Sequence, residues 1–410
     1  MAGITDRRAD MKKVWRATLA LLAVAVAAVA VVGGGTAASE QAKTVTIGWA
    51  YDGVGAMAPF DGPALATAKT HIARVNKSNS IKLRLITCNT QGNKPAIAKT
   101  CATKLLSQGA DIVMTTCDVD FAAPVVQTAI NAGKLTVAAC IGTDQMGPKR
   151  FGPKGRLAFS YGNVAQDEGS AMAEYAWKRG WRTASLATDT VIVYFRNVVQ
   201  AFEKRYTQLG GKIATKETYQ SLGGNPASWQ STVTRLNGED ADVIVTSTAA
   251  AFGAQVPILN GLRTLGNNTP FLNSWAGDGS YWYTPEPKVT NYYYVTFASA
   301  FGNDPVRAVN ALAKQNQAAI AKAGSTGAFV TGPAAIDGIL AALERTGGNT
   351  NGAALAAQMQ RFKNVPTLSG LVSFSPQLHT VFGRQYRVIR VQNNTPRVVA
   401  TIKAKVVPKI

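Results

Sequence analysis

The chain of 410 residues carries 43 Lys and Arg against 23 Asp and Glu, a net charge of +20, and is 46% hydrophobic and 16% charged. That balance excludes a disordered chain and gives enough length for more than one core. The basic residues are dispersed and not interleaved with aromatics, which speaks against a nucleic-acid surface.

In chain order, Arg7, Arg8, Lys12, Lys13 and Arg16 precede the apolar run Ala17 to Val32 and the small residues Gly33 to Ala38. This is the layout of a secretory signal peptide, residues 1–38, cut near Ala38. The run is short for a ~20-residue span, so cleavage is preferred over retention as an anchor. With no cysteine following it, a lipoprotein is not expected, and Asp10 sits where a twin-arginine signal prefers an apolar residue. The rest of the chain is expected outside the cytoplasm, periplasmic or secreted, where clustered cysteines read as disulfides. Cys88, Cys101, Cys117 and Cys140 allow three pairings. Cys88 with Cys101 and Cys117 with Cys140 is preferred, because the last two end successive strands.

Strands are predicted at Thr44 to Tyr51, Ile81 to Cys88, Asp111 to Thr116, Leu135 to Cys140 and Leu157 to Ser160, from β-rich runs of which the second alternates. Helical spacing falls between them at Ala64 to Asn76, Pro95 to Gln108 and Ala122 to Asn131. The pattern then restarts. Strands at Thr183 to Thr188, Lys212 to Tyr219, Asp242 to Ser247, Pro270 to Trp275 and Asn291 to Phe297 alternate with helices at Gln166 to Arg179, Tyr194 to Leu209, Ala227 to Leu236 and Ala251 to Leu265. Regular alternation requires parallel sheets covered on both faces, so the fold class is α/β with two doubly wound parallel-sheet lobes. The final third breaks the pattern, with helices near Pro305 to Lys322, Thr331 to Arg345 and Ala353 to Phe362, then β-rich pieces at Leu371 to Phe374, Gln385 to Val391 and Arg397 to Lys403. Such a tail is read as completing both lobes, with several chain crossings that make a hinge.

The enzyme motifs GxSxG, GxxxxGK[ST], HExxH and GxGxxG after the first strand do not occur. Two histidines, His71 and His379, are expected to be structural and leave little for zinc or a Ser/His/Asp set. Asp118 and Asp120 could in principle do acid/base work, but nothing accompanies them as a catalytic set. Open parallel sheets bind ligands at the carboxyl ends of their strands. The segments there, Trp49 to Gly55, Cys88 to Gly92, Thr116 to Phe121, Ala139 to Asp144, Asp189 to Phe195, Thr248 to Phe252 and Trp275 to Trp282, are rich in Gly, Ser, Thr, Asp and aromatics. They suit a small polar molecule in a closing cleft, although the same residues are ordinary turn formers.

Phe329 to Gly348, reading FVTGPAAIDGILAALERTGG, then Leu368 to Phe374 and His379 before Arg384, resembles the closing signature of periplasmic binding proteins of the branched-chain amino-acid (Leu/Ile/Val) type. Asp189 and Tyr194 followed by Gly210-Gly211, and Ser228-Trp229 before Asp242 to Val245, agree with it. The resemblance runs from about Thr44 to Gln392. It implies a type I periplasmic-binding fold, two lobes joined by a three-crossover hinge, with residues 43–160 plus 298–371 in the N-lobe and 161–297 plus 372–410 in the C-lobe. It further implies delivery of the ligand to a membrane ABC permease by a protein that is not an enzyme, acts as a monomer and needs no cofactor or metal. Phe329 and Asp337 would be packing or hinge-support residues.

The resemblance also implies ligand contacts. Amino-acid-binding members hold the ligand carboxylate with Ser/Thr hydroxyls and amides after the third and fourth strands, and the ammonium with an acid and tyrosines of the second lobe. Here Asp118 and Asp120 stand where paired serines are typical, which argues against an unmodified α-amino acid and for a cationic or polyhydroxylated ligand. Thr143 fits the fourth-strand hydroxyl and Tyr194 the aromatic clamp. Ala249 and Ala250 fall where a tyrosine is common, and Trp275 or Asp278 occupies the region of the ammonium-binding acid. The expected function is capture of a small polar ligand, an amino acid or related compound. A sensory binder reporting to a membrane receptor is the alternative, and an enzyme using Asp118, Asp120 or Asp278 the least favoured.

Overall fold

The computed structural model describes residues 43–410, so the signal peptide and cleavage point expected from sequence lie outside the described residues. The first run of elements is β1 (Thr44–Tyr51), α1 (Ala58–Val75), β2 (Lys82–Asn89), α2 (Pro95–Ser107), β3 (Ile112–Thr115), α3 (Val119–Asn131), β4 (Leu135–Ala138), the single turn α4 (Pro148–Phe151) and β5 (Ala158–Asn163). The second is α5 (Ala165–Lys178), β6 (Thr183–Asp189), α6 (Val193–Gln208), β7 (Lys212–Tyr219), α7 (Pro226–Asn237), β8 (Val243–Ser247), α8 (Gln255–Thr264), β9 (Phe271–Asn273) and β10 (Tyr292–Thr296). The tail adds α9 (Arg307–Gln315), α10 (Gln317–Lys322), α11 (Thr331–Arg345), α12 (Gly352–Met359), β11 (Val365–Thr367), β12 (Gly370–Val372), β13 (Thr380–Val381), β14 (Tyr386–Gln392) and β15 (Thr395–Ile402).

One sheet runs β13-β5-β4-β3-β1-β2 and the other β15-β14-β10-β9-β8-β6-β7. The first is parallel throughout, and in the second only β14 runs against the rest, antiparallel to β10 on one side and β15 on the other. Each of the two runs therefore has the same doubly wound order, with its first strand between its second and third. That places a topological switch point at β1/β3 and another at β6/β8. The central strands are buried from end to end, as in β3, β4 and β8, because helices cover both faces. The edge strands β7 and β15 instead alternate between more and less exposed residues.

The chain passes between the sheets three times: from β5 into α5, after β10, and between β13 and β14. The third passage follows β13. β13 pairs with β5, Thr380 opposite Ser160, as an edge strand of the first sheet, and β5 runs to Asn163. A two-residue strand is too short to leave a periodic signal.

The tail completes the first side with α11, which packs on α1 and on β5. A Cβ on Gly338 would collide with the Tyr161 hydroxyl, so glycine lets α11 approach the sheet. The apolar segment Gly327–Arg345 is long enough to cross a membrane, yet 83% of its apolar window is buried, which makes it a core helix. Asp337 on α11 bonds the His71 ring at 2.6 Å and accepts the Leu368 N–H at 2.9 Å. His379 stacks on Phe159 with centroids 4.1 Å apart and bonds the Ala158 carbonyl at 2.9 Å. Both histidines are thus built into the frame.

The cysteines pair as preferred, Cys88 with Cys101 and Cys117 with Cys140. The parallel register sets Thr115 opposite Ala138, so the positions two residues further along β3 and β4 meet across neighbouring strands, with Cα atoms 4.7 Å apart.

Candidate functional site

At each switch point an aspartate, Asp52 just after β1 and Asp189 at the end of β6, gathers the neighbouring loops. Asp52 accepts the N–H groups of Gly55, Met57 and Gly92 at 2.8, 3.1 and 3.0 Å. Asp189 accepts those of Val191 and Ser221, both at 3.2 Å, and the Thr248 hydroxyl at 2.7 Å. Asp61 on α1 ties the Asp52 and Cys117 amides at 2.7 and 3.0 Å, and burial pushes its carboxyl up to about 7. These carboxylates hold the strand ends in place, as buried charges do when backbone N–H groups surround them.

The carboxyl edges of the two sheets face and touch one another. The Asp120 carboxylate accepts the Val193 N–H at 3.0 Å, at the first turn of α6, where the helix dipole favours an anion. Its other oxygen meets Arg150 at 2.6 Å. The Tyr194 ring lies against Gly142, where a Cβ would stand 2.6 Å from a ring carbon. Trp275 stacks on Phe297 and meets Phe60 of α1 at a tilt, with centroids 4.7 and 4.9 Å away, and Phe121 meets Phe252 at 6.1 Å.

Of the residues expected from sequence, Asp120, Tyr194 and Trp275 come together at these facing edges. Asp118 caps α3, accepting the Asp120 and Phe121 N–H groups at 2.9 and 3.4 Å, and burial with the neighbouring Asp120 raises it to about 7. Thr143 is buried; its hydroxyl accepts the Gln145 N–H at 3.3 Å and its carbonyl accepts the Thr380 hydroxyl at 2.7 Å. Asp278 accepts the Thr296 hydroxyl and the N–H groups of Gly279 and Gly327, each at 2.6 Å, and burial raises it to about 7. The acids Asp118 and Asp120 are thus engaged by the protein itself, which removes the ground for inferring a cationic ligand from them.

Glu168 was not singled out by sequence. It lies in the first turn of α5, fully buried, and one oxygen accepts both the Tyr194 hydroxyl at 2.8 Å and the Trp275 N–H at 2.6 Å. The other oxygen has no partner among the described residues. Burial pushes the carboxyl up to about 7, partly offset by those two bonds. The available signal was Asp167-Glu168 directly after β5, which reads equally well as acids complementing a helix dipole. Phe60, Phe121 and Phe252 were likewise indistinguishable from core aromatics.

Solved structures with the same fold include the branched-chain amino acid transporter substrate binding protein LivJ from Streptococcus pneumoniae in complex with isoleucine. It is 19% identical, with 89% of this chain and 100% of that one covered and a TM-score of 0.73. The leucine binding protein LivK from Thermotoga maritima is 16% identical over 87% of this chain and 98% of that one, TM-score 0.72. A solute binding protein of an ABC transporter from Rhodopseudomonas palustris, in complex with 3,4-dihydroxybenzoic acid, is 16% identical over 89% and 99%, TM-score 0.71. No curated protein sequence is matched. These structures are of binding proteins rather than enzymes, and residues 44–396 match the family described as periplasmic binding protein. A match over so much of the chain, on this fold and with two opposed carboxyl edges, makes the protein a member of the periplasmic binding protein family.

Proposed function

We propose that the protein is an exported solute-binding protein that closes two lobes over a small polar ligand, an amino acid or related compound, and delivers it to a membrane ABC permease. The observation that carries this is the direct contact of the two carboxyl edges, Asp120 on the Val193 amide, Tyr194 over Gly142 and Trp275 on Phe60. On this reading the lobes are residues 43–163 with 307–381 and 164–297 with 382–410, and the three passages between the sheets are the hinge. A ligand that touches both edges binds the closed form better and shifts the population toward it.

Tyr194, Trp275 and Glu168 are the proposed ligand contacts, and Asp120 is a clasp between lobes. Asp118, Thr143 and Asp278 support the walls. The unpaired oxygen of Glu168 suits a donor, either an ammonium or a hydroxyl, and the isoleucine and dihydroxybenzoic acid complexes of proteins with this fold include both kinds. Native mass spectrometry of gently purified protein, followed by a thermal-shift screen of amino acids and hydroxybenzoates, tests the proposal. Release of an intact compound that raises the melting temperature is expected. If no small molecule at millimolar concentration raised it, the transport reading would be abandoned, and cross-linking to a receptor in place of a permease would favour the sensory alternative.

A further inference from the structure

A cavity of about 540 Å³ opens where the second and third passages between the sheets run side by side; Phe297, Val309, Leu368, Arg384, Arg387 and Lys403 are among its walls, and of these Phe297 also packs on Trp275 of the facing carboxyl edges. Arg387 is fully matched, its fork bidentate on Asp304 at 2.9 Å for both bonds. Lys403 is close enough to Asp167 for each to feel the other's charge. Arg384 is different. It is 4% exposed, and none of its three side-chain nitrogens has a partner among the described residues. Its guanidinium stands 5.4 Å from the Phe297 ring centre, over a face that attracts a cation without accepting its N–H bonds.

The polar groups nearest in charge to Arg384 deepen the imbalance. Tyr161 and Tyr386 stand near it as neutral, buried phenols, and their hydroxyls, like the Asn163 amide, make no hydrogen bond of ordinary geometry among the described residues. A planar cationic fork and two phenols together offer hydrogen-bond donors in excess of acceptors, in a place where an unpaired charge is costly. The missing component is an acceptor bearing negative charge. Guanidinium matches carboxylate geometry, the apolar walls accept a hydrocarbon body, and the volume lies in the range of small-molecule sites.

We propose that this cavity is a second binding site, for a small monoanion held by Arg384, separate from the cleft between the carboxyl edges. The proposal does not depend on which ligand, if any, the cleft takes. The anion is either an inorganic halide or an organic carboxylate, and the two sources are separable by experiment.

The test uses the full exported protein in chloride- and phosphate-free zwitterionic buffer, titrated with sodium chloride, acetate or benzoate and compared with the dianion sulfate at the same ionic strength, with melting temperature as the readout. In the wild type at least one of the three raises the melting temperature in a saturating manner. In Arg384→Met that response weakens by about tenfold or more, the loss expected for a charge-assisted pair, and the variant melts above the wild type when no anion is added. Response to chloride identifies the inorganic source, and response to acetate or benzoate the organic one. A wild type indifferent to all three, or an Arg384→Met protein responding as strongly, overturns the proposal. Crystals of the unmodified protein soaked in bromide or 4-bromobenzoate decide without a variant: an anomalous peak beside Arg384 supports the site, and peaks confined to the cleft or the outer surface overturn it.

Discussion

Glu168 and Asp278 are both buried carboxyls lifted to about 7, yet they answer to different tests. Burial raises Glu168 from 4.5, so the folded protein retains a proton that the unfolded chain releases. Its contribution to stability is complete below the lower value, declines as pH rises from about 4.5 to 7, and is gone above. Glu168→Gln keeps an oxygen for Tyr194 and Trp275 but carries no titrating charge. The variant should therefore match the wild type near pH 4 and exceed it by pH 8, by a difference on the order of 3 kcal/mol, read by urea unfolding of ligand-free protein at both values. A difference that does not change with pH would refute the role given to burial here. Asp278→Ala, by contrast, strands three donors and should cost about 3 kcal/mol in the same assay, whether or not ligand affinity changes. At this scale the sequence was informative about position but not about partners. Asp118 and Asp120 were visible as acids beside a strand end, whereas the cap and the Arg150 pair that engage them depend on chain geometry. Glu168 escaped because its two donors, Tyr194 and Trp275, are far from it in sequence and adjacent only in the fold.

Among the elements, those with a long apolar period were legible and those set by one distant contact were not. β1, β7 and α11 coincide with their sequence ranges. α1 begins six residues before the helix read from sequence, because Pro63 looks like a break yet sits inside the helix. Proline there removes the bond to the carbonyl four residues earlier, and that carbonyl, of Pro59, is instead taken by the Thr326 hydroxyl at 2.7 Å. The helix read over Pro305 to Lys322 divides at Asn316, whose side chain reaches back to the Leu312 carbonyl at 3.0 Å and accepts the Thr70 hydroxyl at 2.9 Å. The disulfide between Cys117 and Cys140 was accessible from sequence because strand order implies adjacency. It closes a sequence separation of 23 residues, so Cys117→Ser with Cys140→Ser should lower stability by about 3 kcal/mol. Comparing that double variant with the wild type under oxidising conditions, by urea unfolding, measures it. An unchanged midpoint would mean that β3 and β4 hold their strand ends without the covalent link.

At the scale of the whole molecule, the proposed closure would rest on a few contacts between the carboxyl edges. The two sheets repeat one strand order, so each presents its switch point, and the passages between the sheets bring those points face to face. The Asp120 bond to the Val193 amide at a helix N-terminus contributes about 0.5–2 kcal/mol, and the Phe60–Trp275 ring contact about 1 kcal/mol. Together they are comparable with the gap that separates two populated conformations. A loss of about 2 kcal/mol changes an open-to-closed ratio by roughly thirtyfold, enough to reverse a modest preference for the closed form. Asp120→Ala with Phe60→Ala should then enlarge the ligand-free radius of gyration in small-angle scattering while leaving the helix and strand content seen by circular dichroism intact. A cleft ligand should draw the radius back, because it adds to the closed form the differential affinity that the two side chains no longer supply. If the double variant and the wild type scattered identically with and without ligand, the edges would be fixed together by the passages themselves. Ligand entry would then need a route other than hinge opening.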